Sequence, residues 1–259
     1  DNSLFRNIKN EIVKAIEGGY SFRSSKLSVN VNTYYTKWEN KPANGGVTVV
    51  VDDVPYRANI NGMDALHKGL EMDFSYKFTN NLSLEGLMSL GDWKWTSSDT
   101  VRFLDDDNNP IIDDLGNEII ANFDAEGVHV GDAAQTQFGL SIRYEPSYNS
   151  YIKLRGTYFD NYYADFDPLS LNGANAGRES WKIPAYQLID LHCGYKFKLS
   201  VKNRLDIRLS VLNLLDEIYI SDAQNNDPFN ANYQDFDAKS AGVFFGLGRR
   251  FNVSAKFSF

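Results

Sequence analysis

The chain has 259 residues and a formal net charge of −8; aromatics make up 14%, with 15 Tyr and 17 Phe, against 7 Pro, 3 Met and one Cys. The acidic balance excludes nucleic acid as a partner, because phosphate contacts require a basic face; a single cysteine excludes an intrachain disulfide and a cysteine-type zinc site. No run approaches 18 consecutive apolar residues, so no transmembrane helix can be drawn, yet the mean hydropathy of −0.41 fits barrel strands, which need only about 9 to 11 residues with every second one apolar.

The chain opens Asp1-Asn2-Ser3 with no Met, basic n-region or apolar h-region, so an export signal is expected to have been removed or never included. Apolar and polar residues then alternate with period two, the signature of half-buried strands. A weak first strand carries Ile12, Ile16, Tyr20 and Phe22; a second carries Leu27, Val29, Val31 and Tyr35. The third runs through Leu70, Met72, Phe74, Tyr76 and Phe78, the fourth through Leu82, Leu84, Met88 and Leu90. Phe138, Leu140, Ile142 and Tyr144 mark a fifth strand, and Ile152, Leu154 and Tyr158 a sixth. Ile189, Leu191, Cys193, Tyr195 and Phe197 mark a seventh, and Leu205, Ile207, Leu209 and Val211 an eighth. From Val243 to Phe259 the alternation continues for roughly seventeen residues, which predicts one long ninth strand.

Connections alternate in length. Short ones fall at Arg23 to Lys26, Thr79 to Asn81, Glu145 to Asn149 and Ser200 to Asn203; long ones fall at Glu39 to Asp64, Thr96 to Asp132, Asp165 to Pro184 and Ser221 to Ser240. Short turns on one side and long loops on the other are the outer-membrane barrel arrangement. Strands descending to the short-turn side all finish in apolar-face aromatics: Tyr20 and Phe22, Tyr76 and Phe78, Tyr144, Tyr195 and Phe197, Phe257 and Phe259. Such a row suits a membrane–water interface. The opposite face carries Glu17, Glu71, Asp73, Lys77, Glu85, Arg143, Lys153, Arg155, Asp190, His192, Asp206 and Arg208, a mixture that calls for water or a polar plug. The expected fold is therefore all-β, with antiparallel transmembrane barrel strands. The rival reading is a soluble or surface-exposed β-sandwich acting as a ligand-binding module.

Between Asp99 and Asp132 ten carboxylates face the single Arg102. Asp105, Asp107 and Asn109 resemble the opening of a calcium loop, but Pro110 stands where its glycine belongs and Gly116 where its twelfth-position Glu belongs; a solvated acidic loop is the other reading. His67, His129 and His192 are dispersed, lying respectively before a strand, in a loop and on the polar face, and no motif surrounds a serine nucleophile. Catalysis, a metal centre and a cofactor thus find no support.

Strand parity points Tyr34, Trp38, Trp93, Trp95, Phe159 and Tyr163 into the lumen near the long-loop side. Aromatic faces there could stack on a sugar ring or an aromatic iron chelate, with Arg155 and Arg178 meeting an anionic group. Equally, the rings could pack against a plug or the long loops.

Four stretches resemble the C-terminal end of TonB-dependent outer-membrane receptors, especially of the Bacteroidota type. They are Gly69-Leu70-Glu71 leading to Tyr76-Lys77-Phe78; Val130-Gly131-Asp132-Ala133 before Gln135-Thr136; Tyr162-Tyr163-Ala164-Asp165-Phe166; and Asn213-Leu214-Leu215-Asp216-Glu217-Ile218-Tyr219. The final Phe259 resembles the terminal aromatic read by the barrel-insertion machinery. The resemblance implies a 22-stranded barrel with a plugged lumen, of which residues 1–259 would supply nine strands and no plug domain. It also implies a Gram-negative outer membrane and contact with its lipid. Energy coupling to the TonB complex would run through a region N-terminal to this chain, for uptake of a siderophore, metal chelate, vitamin or glycan.

Overall fold

The computed structural model describes residues 10–41, 48–51, 54–57, 62–103, 105, 107, 109–224 and 237–259. Asp106 of the acidic loop and parts of the expected connections after Lys41 and after Gln224 lie outside them. Sixteen strands follow in order: β1 (Ile12–Arg23), β2 (Leu27–Lys41), β3 (Thr48–Val51), β4 (Val54–Arg57), β5 (Met63–Lys77), β6 (Leu82–Trp95), β7 (Ser98–Arg102), β8 (Ile120–Asp124), β9 (Ala134–Ser147), β10 (Ser150–Tyr163), β11 (Lys182–Ile183), β12 (Tyr186–Lys198), β13 (Arg204–Leu212), β14 (Ile220–Gln224), β15 (Gly242–Phe245) and β16 (Arg250–Ser258). Two 3-10 turns, Pro168–Ser170 and Gly173–Asn175, are the helical elements among the described residues.

Nine strands form one antiparallel meander in the order β1-β2-β5-β6-β9-β10-β12-β13-β16, and β11 adds to β10. This matches the nine strands read from the alternation. The wall is a single layer, not two packed sheets, which rules out the β-sandwich. Its strands reach 15 residues, well beyond the five or six usual in soluble domains.

Register shows why the alternation works. Directly opposed residues share a face, and the row Tyr20↔Val31, Val31↔Met72, Met72↔Met88, Met88↔Phe138, Phe138↔Tyr158 runs unbroken across six strands. Further along, Leu154↔Leu191, Leu191↔Val211 and Val211↔Phe251 carry the same face to β16. These side chains are exposed or only partly covered, except Val211, which is buried at 6%; on the same face Leu140 and Phe138 are 53% and 42% exposed. Large apolar groups covered by no protein are what a lipid-facing surface requires.

The aromatic row is at the short-turn end as expected, and neighbours within it touch: Tyr76–Phe78, Tyr195–Phe197 and Phe257–Phe259 have ring centroids 4.8, 4.5 and 6.0 Å apart. On the other face, polar groups pair across strands. Asn30 donates to Asp73 at 2.8 Å, Lys153 meets Glu85 at 2.7 Å, and Arg155 meets Asp190 at 2.5 Å. Partly exposed pairs of this kind contribute about 1 kcal/mol or less each; the backbone ladder holds the sheet.

Short turns follow from side-chain chemistry. The Ser24 hydroxyl accepts from the Leu27 amide at 3.0 Å, and Asn81 donates from Nδ2 to the Glu145 carbonyl at 3.0 Å, tying two neighbouring turns together. The long connections are built differently. Hairpins β3–β4, β7–β8 and β14–β15 rise from them. Beneath β7–β8 lies a water-excluding core of Trp95, Val101, Phe103, Phe123, Val128 and Leu171. The acidic segment is thus a folded cap on the rim of the wall.

The long ninth strand is corrected. It breaks into β15 and β16, and β15 pairs with β14 rather than continuing along β13. Three contacts impose the break. Tyr219 lies so close over Gly246 that a Cβ there would come within 1.9 Å of the ring; Asp216 accepts from the Arg249 amide at 2.7 Å; and Asn213 donates to the Leu247 carbonyl at 3.3 Å.

Candidate functional site

Five of the six mouth aromatics lie on the polar face near the long-loop end. Tyr34 opposes Glu17, Trp38 opposes Ala65, Ala65 opposes Trp95, Trp93 opposes His67, and Phe159 opposes Gln137 and Tyr186. They form two groups. In the first, on β2, β5 and β6, the Trp93 indole donates to the Tyr34 hydroxyl at 2.8 Å. His67 sits between Trp38 (centroids 6.0 Å) and Trp93 (5.3 Å), and Lys41 Nζ lies 5.2 Å from the Trp38 ring centroid. Gln135 fixes Trp93 by accepting from its amide at 2.8 Å and donating to its carbonyl at 3.2 Å. Trp38 Nε1 and His67 Nε2 are buried atoms with no hydrogen-bond partner among the described residues.

The second group, on β10 and β12, stacks Phe159 on Tyr186 (4.9 Å) and Tyr186 on Tyr219 (4.5 Å). Trp95 departs from the expected mouth position: it is 7% exposed and belongs to the core under the cap.

Tyr163 faces the other way from the parity expectation. Asn161 has φ +49°, an irregularity that reverses the alternation at the end of β10. Tyr162 consequently turns toward the second aromatic group, donating to the Ser221 carbonyl at 3.1 Å. Tyr163 instead stacks on His129, with centroids 4.2 Å apart and planes 1° from parallel. His129 is bonded to Glu179 at 2.6 Å and lies 3.8 Å from outward-facing Asp92. Arg155 is on the polar face but committed to Asp190, whose other oxygen accepts from the Asn213 amide at 2.9 Å. Arg178 lies in the connection after the second 3-10 turn, where it donates to Asn175 at 3.2 Å.

Three carboxylates converge beside the second aromatic group: Asp132 before β9, Asp165 after β10 and Asp222 within β14. Burial, with the nearby Asp132 and Asp222 carboxylates, pushes Asp165 up to about 6. Burial and Asp222 likewise raise Asp132 above the ordinary carboxylate range. Backbone packing brings them together: a Cβ on Gly131 would lie 2.8 Å from the Asp165 nitrogen, so only glycine permits this approach. The Val130–Ala133 stretch thereby docks on the Tyr162–Phe166 stretch.

The acidic cap uses its carboxylates locally. Asp105 accepts from the Asp107 and Asn109 amides (3.0 and 2.7 Å), and Asp113 from those of Leu115 and Asn117 (2.9 and 2.8 Å). Backbone donors hold both below the usual carboxylate range. These are turn-forming carboxylates.

The Asn213–Tyr219 stretch acts as a clasp. Asn213 (φ +51°) donates to the Glu217 carbonyl and accepts from its amide, closing a tight loop that presents Tyr219 to Tyr186. Sequence reading missed His67, Tyr186 and Gln135 as members of the mouth. His67 lies inside β5, not before it; extending the Glu71, Gly69 parity two residues back finds it. Gln135 carries no periodic signal, because its role depends on the β6 backbone opposite.

A single-layer wall with one lipid-facing side, one polar side, an aromatic girdle and folded loops on one rim is a strip of a large outer-membrane β-barrel. The sequence model described as TonB dependent receptor-like, beta-barrel matches residues 2–214, and the chain belongs to that family. Its place is the Gram-negative outer membrane, and the family's members are transport receptors. Solved structures with the same fold include the ferric yersiniabactin uptake receptor FyuA from Yersinia pestis, 15% identical, with TM-score 0.59 over 96% of this chain and 30% of that one. The copper transporter OprC is 15% identical, with TM-score 0.58 over 98% and 32%. The FrpB iron transporter from Neisseria meningitidis is 18% identical, with TM-score 0.58 over 98% and 32%. The chain therefore spans about a third of these receptors' length. No curated protein sequence matches it.

Proposed function

We propose that these residues form the C-terminal part of the barrel of a TonB-dependent importer, with the plug and remaining strands supplied by chain outside residues 1–259. The cargo is a metal chelate or another small molecule bearing ring and hydroxyl groups. FyuA, OprC and FrpB carry ferric yersiniabactin, copper and iron by their names, which favours a metal chelate over a vitamin or glycan. The resemblance of the four stretches named above is the support for the Bacteroidota type within the family. Energy reaches the receptor through the TonB complex.

The observation that carries this reading is the Tyr34–Trp38–His67–Trp93 group. Flat ring faces line the polar wall at the mouth, and a buried indole donor and a buried imidazole nitrogen have no hydrogen-bond partner among the described residues. A cargo ring would stack on the indole faces, and rotation of the Trp38 and His67 side chains would open the two buried nitrogens to a cargo hydroxyl or carbonyl. Tyr163 and Trp95 leave the proposed site, since one faces outward and the other is buried. Arg155 and Phe159 remain on the cargo side, Arg155 as part of an ion pair; Arg178 stands in a loop connection.

The test uses the full-length receptor in cells supplied with radio-iron as catecholate or hydroxamate chelates, or with radio-copper. Uptake of one of these should depend on TonB. The His67→Ala, Trp93→Ala double variant should lower that uptake at least about tenfold, equivalent to about 1.4 kcal/mol, with folded barrel unchanged. TonB-dependent uptake left intact in the variant would remove the aromatic group from the site.

A further inference from the structure

The outward face is not uniformly apolar at its upper edge. On the strands β1, β2, β5 and β6 the last outward rows carry lysines: Lys14 opposes Lys37, Leu66 opposes Lys94, and Lys68 opposes Asp92. Two carboxylates serve four ammonium groups. Glu39 takes Lys14 at 2.8 Å and Lys37 at 3.2 Å; Asp92 takes Lys68 at 3.0 Å and Lys94 at 3.6 Å. Among the described residues the other ionisable groups at this cluster are His129, 3.8 Å from Asp92, Glu179, which pairs with His129, and Tyr163, stacked on His129. The four lysine side chains are each at least 41% exposed, so they can reach beyond their carboxylates. With His129 neutral, as in the chain's net charge of −8, the four lysines against Glu39, Asp92 and Glu179 leave a local surplus of one positive charge among the described residues. Like charges directly opposed across strands are unfavourable by themselves, so a surplus at this place calls for an anion.

Directly below the lysines the same strands form an open apolar groove of about 720 Å³, lined by Ile16, Gly18, Thr33, Tyr35, Leu70 and Leu90, with Lys68 and Asp92 at its head. Gly18 and Thr33 oppose each other and make its floor; a Cβ on Gly18 would meet only Thr33, at 3.9 Å. Its height in the membrane follows from strand length. Lys14 and Phe22 lie on the same face of β1, about 27 Å apart along the strand, or about 20 Å vertically at the usual tilt, close to the roughly 25 Å apolar band of such barrels. With Phe22 in the girdle at the short-turn interface, the lysines stand at the headgroup level of the outer leaflet.

We propose that this amphipathic groove binds a phosphorylated glycolipid of the outer leaflet, one acyl chain lying over Gly18 and Thr33 and its phosphates taken by Lys14, Lys37, Lys68 and Lys94. Exposed ion pairs are weak, so phosphate oxygens displace the lysines from Glu39 and Asp92 at little cost. The site is on the lipid side of the wall and separate from the cargo mouth. It rests on the outer-membrane assignment but not on the identity of the cargo.

The test is lipid binding to the full-length receptor, purified in detergent and probed by native mass spectrometry with bis-phosphorylated lipid A and with the same lipid stripped of both phosphates. Wild type should prefer the phosphorylated form. K14Q/K37Q/K68Q/K94Q should weaken its binding at least about tenfold, while K26Q/K77Q/K196Q/K198Q, which removes the same charge at the short-turn end, should not. Gly18→Leu should weaken both lipids by filling the groove. Equal binding of the two lipids, equal loss in both lysine variants, or no loss in the first would overturn the proposal. If the quadruple variant does not fold, K14Q/K37Q and K68Q/K94Q are each read instead, with several-fold losses expected. Heat-modifiable mobility of the wild-type barrel separates the two failures: a folded outer-membrane barrel that binds no lipid A refutes this site alone, whereas an unfolded or soluble product refutes the barrel.

Discussion

The wall and the cap put apolar side chains to opposite uses. In the wall, Tyr20 and Phe138 stand 67% and 42% exposed on a face largely left open by the described residues, while in the cap Phe103 and Leu171 are 2% and 0% exposed. Both regions exclude water, but the wall relies on lipid to do it and the cap on its own packing. The wall is therefore insensitive to the exact shape of its outward groups and intolerant of charge there. The cap is sensitive to every lost methylene.

The largest effect expected from this contrast is in the cap. Phe103→Ala should cost about 3–5 kcal/mol, as deletion of a buried ring does. Hydrogen exchange across Ile119–Val128 should accelerate while heat-modifiable mobility of the barrel is retained; Phe138→Leu on the wall should change neither. Simultaneous loss of the barrel would show that cap and wall fold as one unit. Next comes charge on the lipid face. Leu209 and Arg208 are adjacent in β13, opposing Val253 and Ser254, and Leu209 stands on the lipid face four residues from Leu205, which is level with the girdle residue Phe197. Leu209→Arg should cost roughly 2–4 kcal/mol near the bilayer midplane and sharply reduce assembled barrel; Arg208→Ile should leave most of it intact.

A smaller effect is tied to pH. Asp165 titrates at about 6 rather than 3.8 because it is buried near Asp132 and Asp222. Since its folded-state pKa is raised, ionisation weighs against the folded loops at pH 7, and that burden disappears as pH falls from about 7 to about 4. Its ceiling is about 3 kcal/mol. Exchange protection of the Ala164 and Asp165 amides, which donate to the Trp181 and Ala223 carbonyls, should rise over that interval. Asp165→Asn should give the same high protection at pH 7 and abolish the pH dependence; unchanged pH dependence in the variant would exclude Asp165 as its source. The smallest effect is expected from the polar face: Lys153→Gln, which removes the pair with Glu85, should alter barrel stability by less than about 1 kcal/mol, as read from the urea midpoint.

The same contrast explains what could be read from sequence. Period-two alternation encodes a two-faced strand wherever the faces meet different solvents, so all nine wall strands and the four short turns were legible. The cap was not, because Phe103, Phe123, Val128 and Leu171 come from a hairpin and loops with no common period and meet only in three dimensions. The mouth was half legible. Parity placed Tyr34, Trp38, Trp93 and Phe159 on the polar face, but it cannot anticipate a positive-φ residue, and Asn161 turned Tyr163 outward. Nor can it foresee that Asp216, Asn213 and Tyr219 would interrupt the last strand at Gly246.

The central claim is that one face of the wall meets lipid and the other meets water, and β13 offers the most direct test. Single spin labels at each position from Leu205 to Val211, on a background with Cys193 replaced, would be measured in the full-length receptor reconstituted in bilayers. Labels at Leu205, Ile207 and Leu209 should be accessible to oxygen, and those at Asp206, Arg208 and Ser210 to a water-soluble nickel chelate, alternating from Leu205 to Ser210, while Val211, 6% exposed, should be shielded from both. Uniformly low access to both reagents would mean that the strand is buried on two sides by protein, and would contradict the account.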